Sequence, residues 1–368
     1  MHATNTLAEA NRQITICNAC RYCESLCAVF PAMERRRVFP DESLDYLANL
    51  CHNCGACYDA CQYVPPHDFA VNVPKVLAEV RSESYARYAW PRGLAPVFHR
   101  NGVVVALTAA VAVTLFLGGF VALGDPGVLF AAQTGPGAFY RLMPHEAMVL
   151  LFGGVFLFAI LALAMSVRAF WRAIGGGLLT TADVLDAGRA AATLRYLDGG
   201  GAGCLTEDAR PDTRRFFHHC TFYGFLLCFA STSLATVLHN GFGWQAPYPW
   251  YNPVVLLGIV GGIGLVVGPV GLLRAKEQRD SNLSDSRARG MERAFLVMLL
   301  LTSVTGLLLL VLRATALMGM LLAIHLGVVF ALFLSFPYGK FVHGFYRSAA
   351  LVRAAQEKRM PVLGSDNS

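Results

Sequence analysis

Two runs of cysteine near the N-terminus have the residue type and the spacing to hold metal. Each run follows the pattern C-x2-C-x2-C-x3-C, and together they contain eight of the eleven cysteines in the chain. Their members are Cys17, Cys20, Cys23 and Cys27 in the first run, and Cys51, Cys54, Cys57 and Cys61 in the second. Thiolates at this spacing are typical ligands of [4Fe–4S] clusters, which carry single electrons. The sequence therefore predicts two clusters and an electron-transfer role.

The ligand sets follow by analogy with two-cluster ferredoxins, in which the fourth cysteine of each run crosses to the other cluster. The predicted sets are Cys17, Cys20 and Cys23 with Cys61, and Cys51, Cys54 and Cys57 with Cys27. Zinc is the alternative metal, but structural zinc sites usually present their cysteines as separated pairs. No proline directly follows either fourth cysteine, because Ala28 and Gln62 stand there, which departs from the commonest ferredoxin pattern.

The segment between the two cysteine runs predicts that the cluster-binding module is helical. Leu44, Leu47 and Leu50 recur at helical rather than alternating spacing within residues 42–50. We therefore expect an α-helical ferredoxin-like module rather than a small module with β-strands.

The composition places this module on a membrane protein. The chain is 55% hydrophobic and 15% charged, with a mean hydropathy of +0.48, which is too apolar for a soluble globular domain. Six apolar runs are each about 20 residues long, the length that crosses a bilayer as a helix. They cover residues 102–124, 146–167, 216–238, 253–273, 294–312 and 317–337. We expect a mainly α protein with a six-helix transmembrane domain, surrounded by membrane lipids.

The distribution of lysine and arginine predicts the orientation. With a cytoplasmic N-terminus, 28 of the 30 lysines and arginines lie on the cytoplasmic side, leaving only Arg141 and Arg313 outside. The net charge of +6 is thereby explained by topology, without a nucleic-acid partner. The first sixteen residues have no apolar stretch of the kind found in signal peptides. We expect a bacterial inner-membrane protein with both termini in the reducing cytoplasm, where thiolates bind metal instead of forming disulfides.

The expected organisation has three parts. Residues 1–95 form the cytoplasmic module with two clusters, and residues 96–345 form the transmembrane domain, with cytoplasmic loops at 168–215 and 274–293. Residues 346–368 form a cytoplasmic tail.

The histidines predict haem. His325 lies near the middle of the sixth apolar run, and His343 follows 18 residues later, which is five turns of a continuous helix. Two histidines on one face, roughly 27 Å apart, suit axial ligation of haem b at two depths. Pro337 between them weakens the alignment because proline can end a helix.

Histidines on other spans are the candidate partners. For the cytoplasmic-side haem they are His218 or His219, of which at most one faces a given pocket because neighbours point about 100° apart. For an outer haem they are His145 or His239. The alternative for each of these four is an interfacial histidine that hydrogen-bonds to lipid headgroups or to a loop carbonyl. His325 lies in the middle of the membrane, where an ionisable group is costly unless it is paired or ligated, so a functional role is favoured there. The number of haems, one or two, stays open.

Several stretches carry a family resemblance. They are Tyr196-Leu-Asp-Gly-Gly-Gly, Arg214-Arg-Phe-Phe-His-His-Cys-Thr-Phe-Tyr-Gly-Phe and Ala235-Thr-Val-Leu-His239, which follow the double cysteine motif. In this order the features resemble the tricarballylate/citrate utilisation protein B family over nearly the whole chain. The resemblance implies a membrane protein with two [4Fe–4S] clusters and haem, which reoxidises the reduced FAD of a soluble tricarballylate dehydrogenase. The membrane half also resembles the haem b anchors of the nitrate reductase gamma-subunit type.

The expected route runs from the FADH2 of the dehydrogenase through the clusters and the cytoplasmic-side haem to the quinone pool, directly or through an outer haem. The sequence has no dinucleotide, flavin or hydrolase motif, so no catalytic residue is predicted. One alternative is a quinol-oxidising subunit of a heterodisulfide-reductase-like complex, in which electrons flow the other way. Another is a membrane-anchored iron–sulfur redox sensor without haem. A transporter is less favoured, because the spans lack charged residues in their interiors.

Overall fold

The computed structural model describes residues 2–24, 27–197 and 213–360, and within these ranges all regular structure is helical. The α-helices in chain order are α1 (Asn5–Cys20), α2 (Val29–Glu34), α3 (Asp41–Leu50), α4 (Ala56–Asp59), α5 (Val73–Arg87), α6 (Asn101–Leu123), α7 (Pro126–Leu129), α8 (His145–Ala173), α9 (Thr181–Ala192), α10 (Thr213–Phe242), α11 (Pro253–Glu277), α12 (Arg289–Leu312), α13 (Met318–Ser335) and α14 (Val342–Arg359). The Asp-Gly-Gly-Gly stretch at 198–201 and Cys204 lie outside the described residues.

The module that carries the cysteines consists of α1 to α5, and its core is built on α3. The helix predicted over residues 42–50 is present, and Leu44, Leu47 and Leu50 are fully buried. They face α1 and α5, so that the two cysteine runs are held at the edges of one helical core. The module is α-helical and has no strands in its described residues, which is the predicted fold class.

In the part of the chain that the structure describes, six helices are long and apolar enough to cross a membrane, as the six apolar runs predict. They are α6, α8, α10, α11, α12 and the segment that begins with α13. Each covers all or nearly all of one of the apolar runs found in the sequence. The chain is therefore a mainly α protein that joins a helical cysteine-rich module to a six-helix membrane domain.

Glycines let α10 and α11 pack with their backbones in contact. A Cβ atom on Gly261 would stand 2.8 Å from the backbone nitrogen of Cys228, and one on Gly264 would stand 2.9 Å from the carbonyl oxygen of Cys220. Both distances are too short for a real side chain. Small residues at a helix interface allow this approach in membranes, where packing holds helices together.

The sixth span does not continue as one helix to His343, so the predicted five-turn alignment of His325 with His343 is wrong. Helix α13 ends at Ser335, a 3₁₀ turn covers Phe336–Tyr338, and α14 begins at Val342. Pro337 has no backbone N–H and cannot extend the hydrogen-bond ladder of α13. The break separates the two histidines onto different helices.

One end of the membrane domain packs against the cysteine-rich module. Arg36 of the module pairs with Glu357 of α14 at 2.5 Å, and Asn72 donates to the carbonyl oxygen of Asn282, between α11 and α12. Helix α14 also packs against α9 and α3. The segments after the second, fourth and sixth spans thus lie on the same side as the module, as an even number of crossings requires.

Candidate functional site

The first set of cysteines surrounds an open cavity. Cys17 and Cys20 stand on the last turn of α1, and the cavity of about 210 Å³ is also lined by Cys23, Cys57 and Cys61. Cys20 is exposed, and the neighbouring Tyr22 is 75% exposed. The structure therefore brings together the set predicted for one cluster, at the surface of the module.

The second set lies deeper, where the module meets the membrane domain. Cys27, Cys51, Cys54 and Cys57 line a smaller cavity of about 20 Å³. Cys51 is 9% exposed, and the ring of His52 forms part of the wall. This is the set predicted for the other cluster, and Tyr196, which follows α9, also lines its cavity.

Backbone N–H groups point at the sulfur atoms of three of these cysteines. Val29 N donates to Cys27 Sγ at 3.4 Å, and Asn53 N donates to Cys51 Sγ at 3.3 Å. Tyr63 N likewise donates to Cys61 Sγ at 3.3 Å. Such bonds stabilise thiolate ligands and tune iron–sulfur clusters. The donor chemistry at both sites therefore fits cluster ligands.

Burial favours the protonated form of the Cys17 and Cys57 thiols when no metal is bound. Burial, and then the neighbouring Cys61, raise the pKa of Cys17 to about 12, and burial raises the pKa of Cys57 well above its ordinary value. A bound metal removes the proton from a coordinating thiol. Among the described residues, no three His, Cys, Asp or Glu side chains lie close enough to hold a single metal ion, and the cysteines surround cavities instead.

His218 on α10 and His343 on α14 form a facing pair. Their ring centres are 6.3 Å apart and the ring planes are inclined by 74°. Two imidazoles on opposite sides of one metal, with metal–nitrogen bonds of about 2.0 Å, have ring centres about 6 to 6.5 Å apart. The spacing of His218 and His343 matches that arrangement.

The hydrogen bonds of this pair leave nitrogen atoms available to a ligand. His343 Nδ1 lies 2.6 Å from the carbonyl oxygen of Lys340, which leaves Nε2 for coordination. His218 Nδ1 is buried without a hydrogen-bond partner, and a buried polar atom normally has one. On these two observations the chemistry of the pair fits two residues that would hold a haem iron.

His219 turns away from the pair, as the angle between neighbours on a helix requires. Its Nε2 lies 3.2 Å from the carbonyl oxygen of Ala192, at the end of α9. Of the two adjacent candidates, His218 is therefore the one that faces His343.

The outer candidates do not form a comparable pair. His145 and His239 are stacked with ring centres 3.9 Å apart, and Tyr140 packs edge-on against both rings. This spacing leaves no room for an iron atom between the two rings. His325 instead contacts α12, where its Nδ1 lies 2.9 Å from Thr305 Oγ1.

Four arginines converge on the backbone of the second cysteine run, a feature that the sequence analysis missed. Arg81 donates to the carbonyl oxygen of Cys51 at 2.7 Å, and Arg347 donates to the same oxygen at 2.9 Å. Arg214 donates to Asn53 O at 3.0 Å, and Arg279 donates to the same oxygen at 2.5 Å. We call these four residues the arginine clamp. Three of them lie outside the cysteine-rich module: Arg214 on α10, Arg279 just after α11 and Arg347 on α14.

The clamp concentrates positive charge around residues 51–53. Burial, and then the charge of Arg214, lower the pKa of Arg279 to about 10. Burial, and then Arg347, hold the pKa of His52 well below its ordinary value. His52 is therefore neutral, and its Nδ1 lies 2.9 Å from the carbonyl oxygen of Leu50.

The clamp and the histidine pair share two helices. Arg214 precedes His218 by four residues on α10, and Arg347 follows His343 by four residues on α14. Residues four apart lie on the same face of a helix, about 6 Å along the axis. Each helix therefore presents a histidine to the other helix and, one turn away, an arginine to the second cysteine run.

A buried ionic group supports the turn before His343. Glu292 on α12 accepts from Lys340 at 2.6 Å and forms an ion pair with Lys276 of α11. Because the backbone carbonyl of Lys340 bonds to His343, this group fixes the start of α14. With two lysines and one glutamate, it adds one net positive charge near the clamp.

Comparisons with known proteins agree with this architecture. A family model described as Citrate utilization protein B matches residues 97–364, and one described as Citrate utilization protein B Fer4-like domain matches residues 10–87. The chain belongs to the citrate utilization protein B family. A relative from Escherichia coli, citrate utilization protein B, is 52% identical over 358 residues, which cover 97% of this chain and 94% of that protein. No solved structure matches the chain.

Proposed function

We propose that this chain is a membrane electron-transfer protein that reoxidises the reduced FAD of a soluble tricarballylate or related tricarboxylate dehydrogenase and delivers the electrons to the quinone pool. Membership of the family and the Fer4-like domain support an iron–sulfur electron-transfer role in citrate or tricarboxylate utilisation. The flavoprotein partner and the quinone acceptor are the more specific part of the proposal.

Specific residues would hold the cofactors. Cys17, Cys20, Cys23 and Cys61 would hold one [4Fe–4S] cluster, Cys51, Cys54, Cys57 and Cys27 would hold the other, and His218 with His343 would hold haem b. When bound, these groups exchange one electron at a time, so that a two-electron flavin oxidation is divided into single steps. We assign no step to His145, His239 or His325.

The observation that carries the proposal is the link between the second cysteine run and the histidine pair. Arg214 and Arg347 bind the backbone of residues 51–53 and stand one helical turn from His218 and His343. A rigid connection of this kind keeps two redox sites at a fixed short separation. A merely anchored iron–sulfur sensor has no need of a buried histidine pair at this position.

The arrangement also supports a location in the bacterial inner membrane with both termini in the cytoplasm. The module and the segments at 168–197, 274–293 and 342–359 lie on one side of the membrane helices, and these regions carry most of the lysine and arginine. The positive-inside rule assigns that side to the cytoplasm. A soluble cytoplasmic dehydrogenase would therefore reach the open cavity at Cys20.

An anaerobic reduction experiment tests the proposal. The detergent-purified protein is mixed with its FAD-dependent dehydrogenase, tricarballylate is added, and the cluster and haem absorbance are followed before and after addition of a quinone. We expect both chromophores to be reduced only when substrate and dehydrogenase are present, and reoxidised by quinone. A Cys54→Ser variant should retain haem that dithionite reduces, but it should slow haem reduction by the dehydrogenase.

Two outcomes would overturn the proposal. One is a protein that contains iron and sulfide but no haem, which would favour an anchored iron–sulfur protein. The other is haem that dithionite reduces but the dehydrogenase does not, while quinol reduces it readily. That result would favour electron flow from quinol to a cytoplasmic reductase.

A further inference from the structure

The arginine clamp has a consequence for the direction of electron flow. We propose that Arg81, Arg214, Arg279 and Arg347 raise the reduction potential of the cluster site at Cys51 above that of the site at Cys17. We call the Cys51 site the inner site and the Cys17 site the outer site. The higher potential makes the inner site the electron acceptor of the two. The inference rests on the proposed function, because it requires a cluster at both sites.

The two sites differ in their fixed charge. Within the first cysteine run, Arg21 and Glu24 carry opposite charges, and Glu34 lies close enough to both to be affected by their charges. Around residues 51–53, by contrast, four guanidinium groups bind the backbone carbonyls. Guanidinium groups stay protonated at all ordinary pH values. Among the described residues, four guanidinium groups therefore bind the backbone of the Cys51 site, whereas the charges named beside the Cys17 site are one guanidinium and two carboxylates.

Without the arginines, burial alone would give the Cys51 site the lower reduction potential of the two. Reduction adds one negative charge to a cluster, and a site removed from water disfavours the more highly charged form. One cysteine of the first set, Cys20, is exposed, whereas none of the second set is exposed. The inner site would then be the weaker electron acceptor of the two. The arginines are also removed from water, so their positive charge acts strongly on a cluster nearby. It offsets the cost of adding a negative charge to a buried cluster.

The clamp also acts through one peptide group. The His52–Asn53 peptide directs its carbonyl oxygen to Arg214 at 3.5 Å and its N–H to Cys51 Sγ at 3.3 Å. The arginine therefore favours the orientation in which the positive end of the peptide dipole faces the sulfur. A hydrogen bond to a ligand sulfur raises the reduction potential of an iron–sulfur cluster, as a nearby cation does.

The electron balance is simple. One electron leaves the site of Cys17, Cys20, Cys23 and Cys61 and arrives at the site of Cys51, Cys54, Cys57 and Cys27, and no atom is transferred. The reduced flavin of the proposed partner supplies this electron. Repeating the step accounts for both electrons of the flavin.

A redox titration followed by electron paramagnetic resonance tests the inference on the purified full-length protein. Cys20→Ser and Cys54→Ser variants assign the two cluster signals. In the unmodified protein we expect the signal of the Cys51 site to appear at a higher potential than that of the Cys17 site. Equal potentials, or the reverse order, would overturn the inference without any arginine variant.

Arginine variants then test the cause. Arg279→Gln should lower the potential of the Cys51 site and leave the Cys17 site unchanged, whereas Arg279→Lys, which keeps the charge, should restore most of the difference. Arg214→Gln should act in the same direction. The matched control is Arg37→Gln, which removes one positive charge from an exposed position of the module. The inference is wrong if Arg279→Gln and Arg37→Gln leave both potentials equally unchanged.

This result is distinguishable from failure of the proposed function. A protein that holds two clusters but shows no ordered potentials refutes only the role of the clamp. A protein without clusters, established by iron and sulfide analysis of the unmodified chain, refutes the proposed function itself.

Discussion

Glu357 is the residue whose replacement most directly tests how the cysteine-rich module is joined to the C-terminal helix. Its carboxylate, 7% exposed, accepts from Arg36 at 2.5 Å and from the hydroxyl of Tyr46 at 3.1 Å, and it pairs with Arg353 at 3.2 Å. Glu357→Gln preserves the shape and the bond from Tyr46. It removes the negative charge that two guanidinium groups share.

The expected cost follows from the burial of the partners. Removing one member of a buried ion pair typically costs 3–5 kcal/mol, because the remaining charge loses its partner. Arg36 and Arg353 are 15% and 16% exposed, so some water still reaches them, and we take the lower limit of about 3 kcal/mol. Because every 1.4 kcal/mol changes an equilibrium tenfold, local opening of this contact should increase about 150-fold.

Hydrogen exchange followed by mass spectrometry measures this opening. Amides in the second half of α14 and in α3 should lose protection in Glu357→Gln, whereas amides in α12 should not. The matched control is Lys358→Gln on the same helix, which breaks an exposed pair with Asp186 and should change protection by less than a few-fold. If the two variants behave alike, the buried ionic contact does not hold the module to α14, and the reasoning fails.

Two further perturbations probe the module and the membrane domain. Burial outweighs the ion pair with Arg87 and raises the pKa of Asp45 from 3.8 to about 6, so the folded state binds the proton more tightly than the unfolded state. The free energy of unfolding should therefore fall by up to about 3 kcal/mol as pH rises from well below 4 to well above 6. Asp45→Asn should remove this slope in urea titrations. In the membrane domain, Gly264→Ala should destabilise the protein by about 1–3 kcal/mol through the clash with Cys220. Gly118→Ala, which meets no atom within 4 Å, should have little effect on thermal unfolding in detergent.

Features of the fold and the site could be predicted from the sequence where the signal lies within one short segment. The cysteine spacing, with the analogy to two-cluster ferredoxins, predicted the two sets of cysteines that the structure gathers around two cavities, and the helical spacing of Leu44, Leu47 and Leu50 predicted α3. The apolar runs predicted all six membrane helices because a span must be apolar over its whole length. Each of these signals lies within a single element.

Relations between elements were harder to predict. The sequence left His218 and His219 as alternatives, and only the packing of α10 against α14 and α9 distinguishes them. Pro337 was visible as a possible break, but whether it ended the helix depended on the tertiary structure around it.

The arginine clamp could not be predicted from the sequence. Its members come from four separate segments, and each donates to backbone carbonyls, which leave no trace in residue identity. The one signal available was the four-residue spacing of Arg214 with His218 and of His343 with Arg347. That spacing becomes meaningful only when both helices are seen to face the same cysteine run.

The most direct test of the central claim is the haem content of three variants, His218→Ala, His343→Ala and the double variant, measured by pyridine haemochrome on the purified protein. If the two histidines hold one haem, each single variant loses the same haem and the double variant loses no more than either one. His219→Ala, the adjacent histidine that faces α9, should retain the full content. Full haem content in His218→Ala or in His343→Ala would contradict the assignment, and so would losses that add in the double variant.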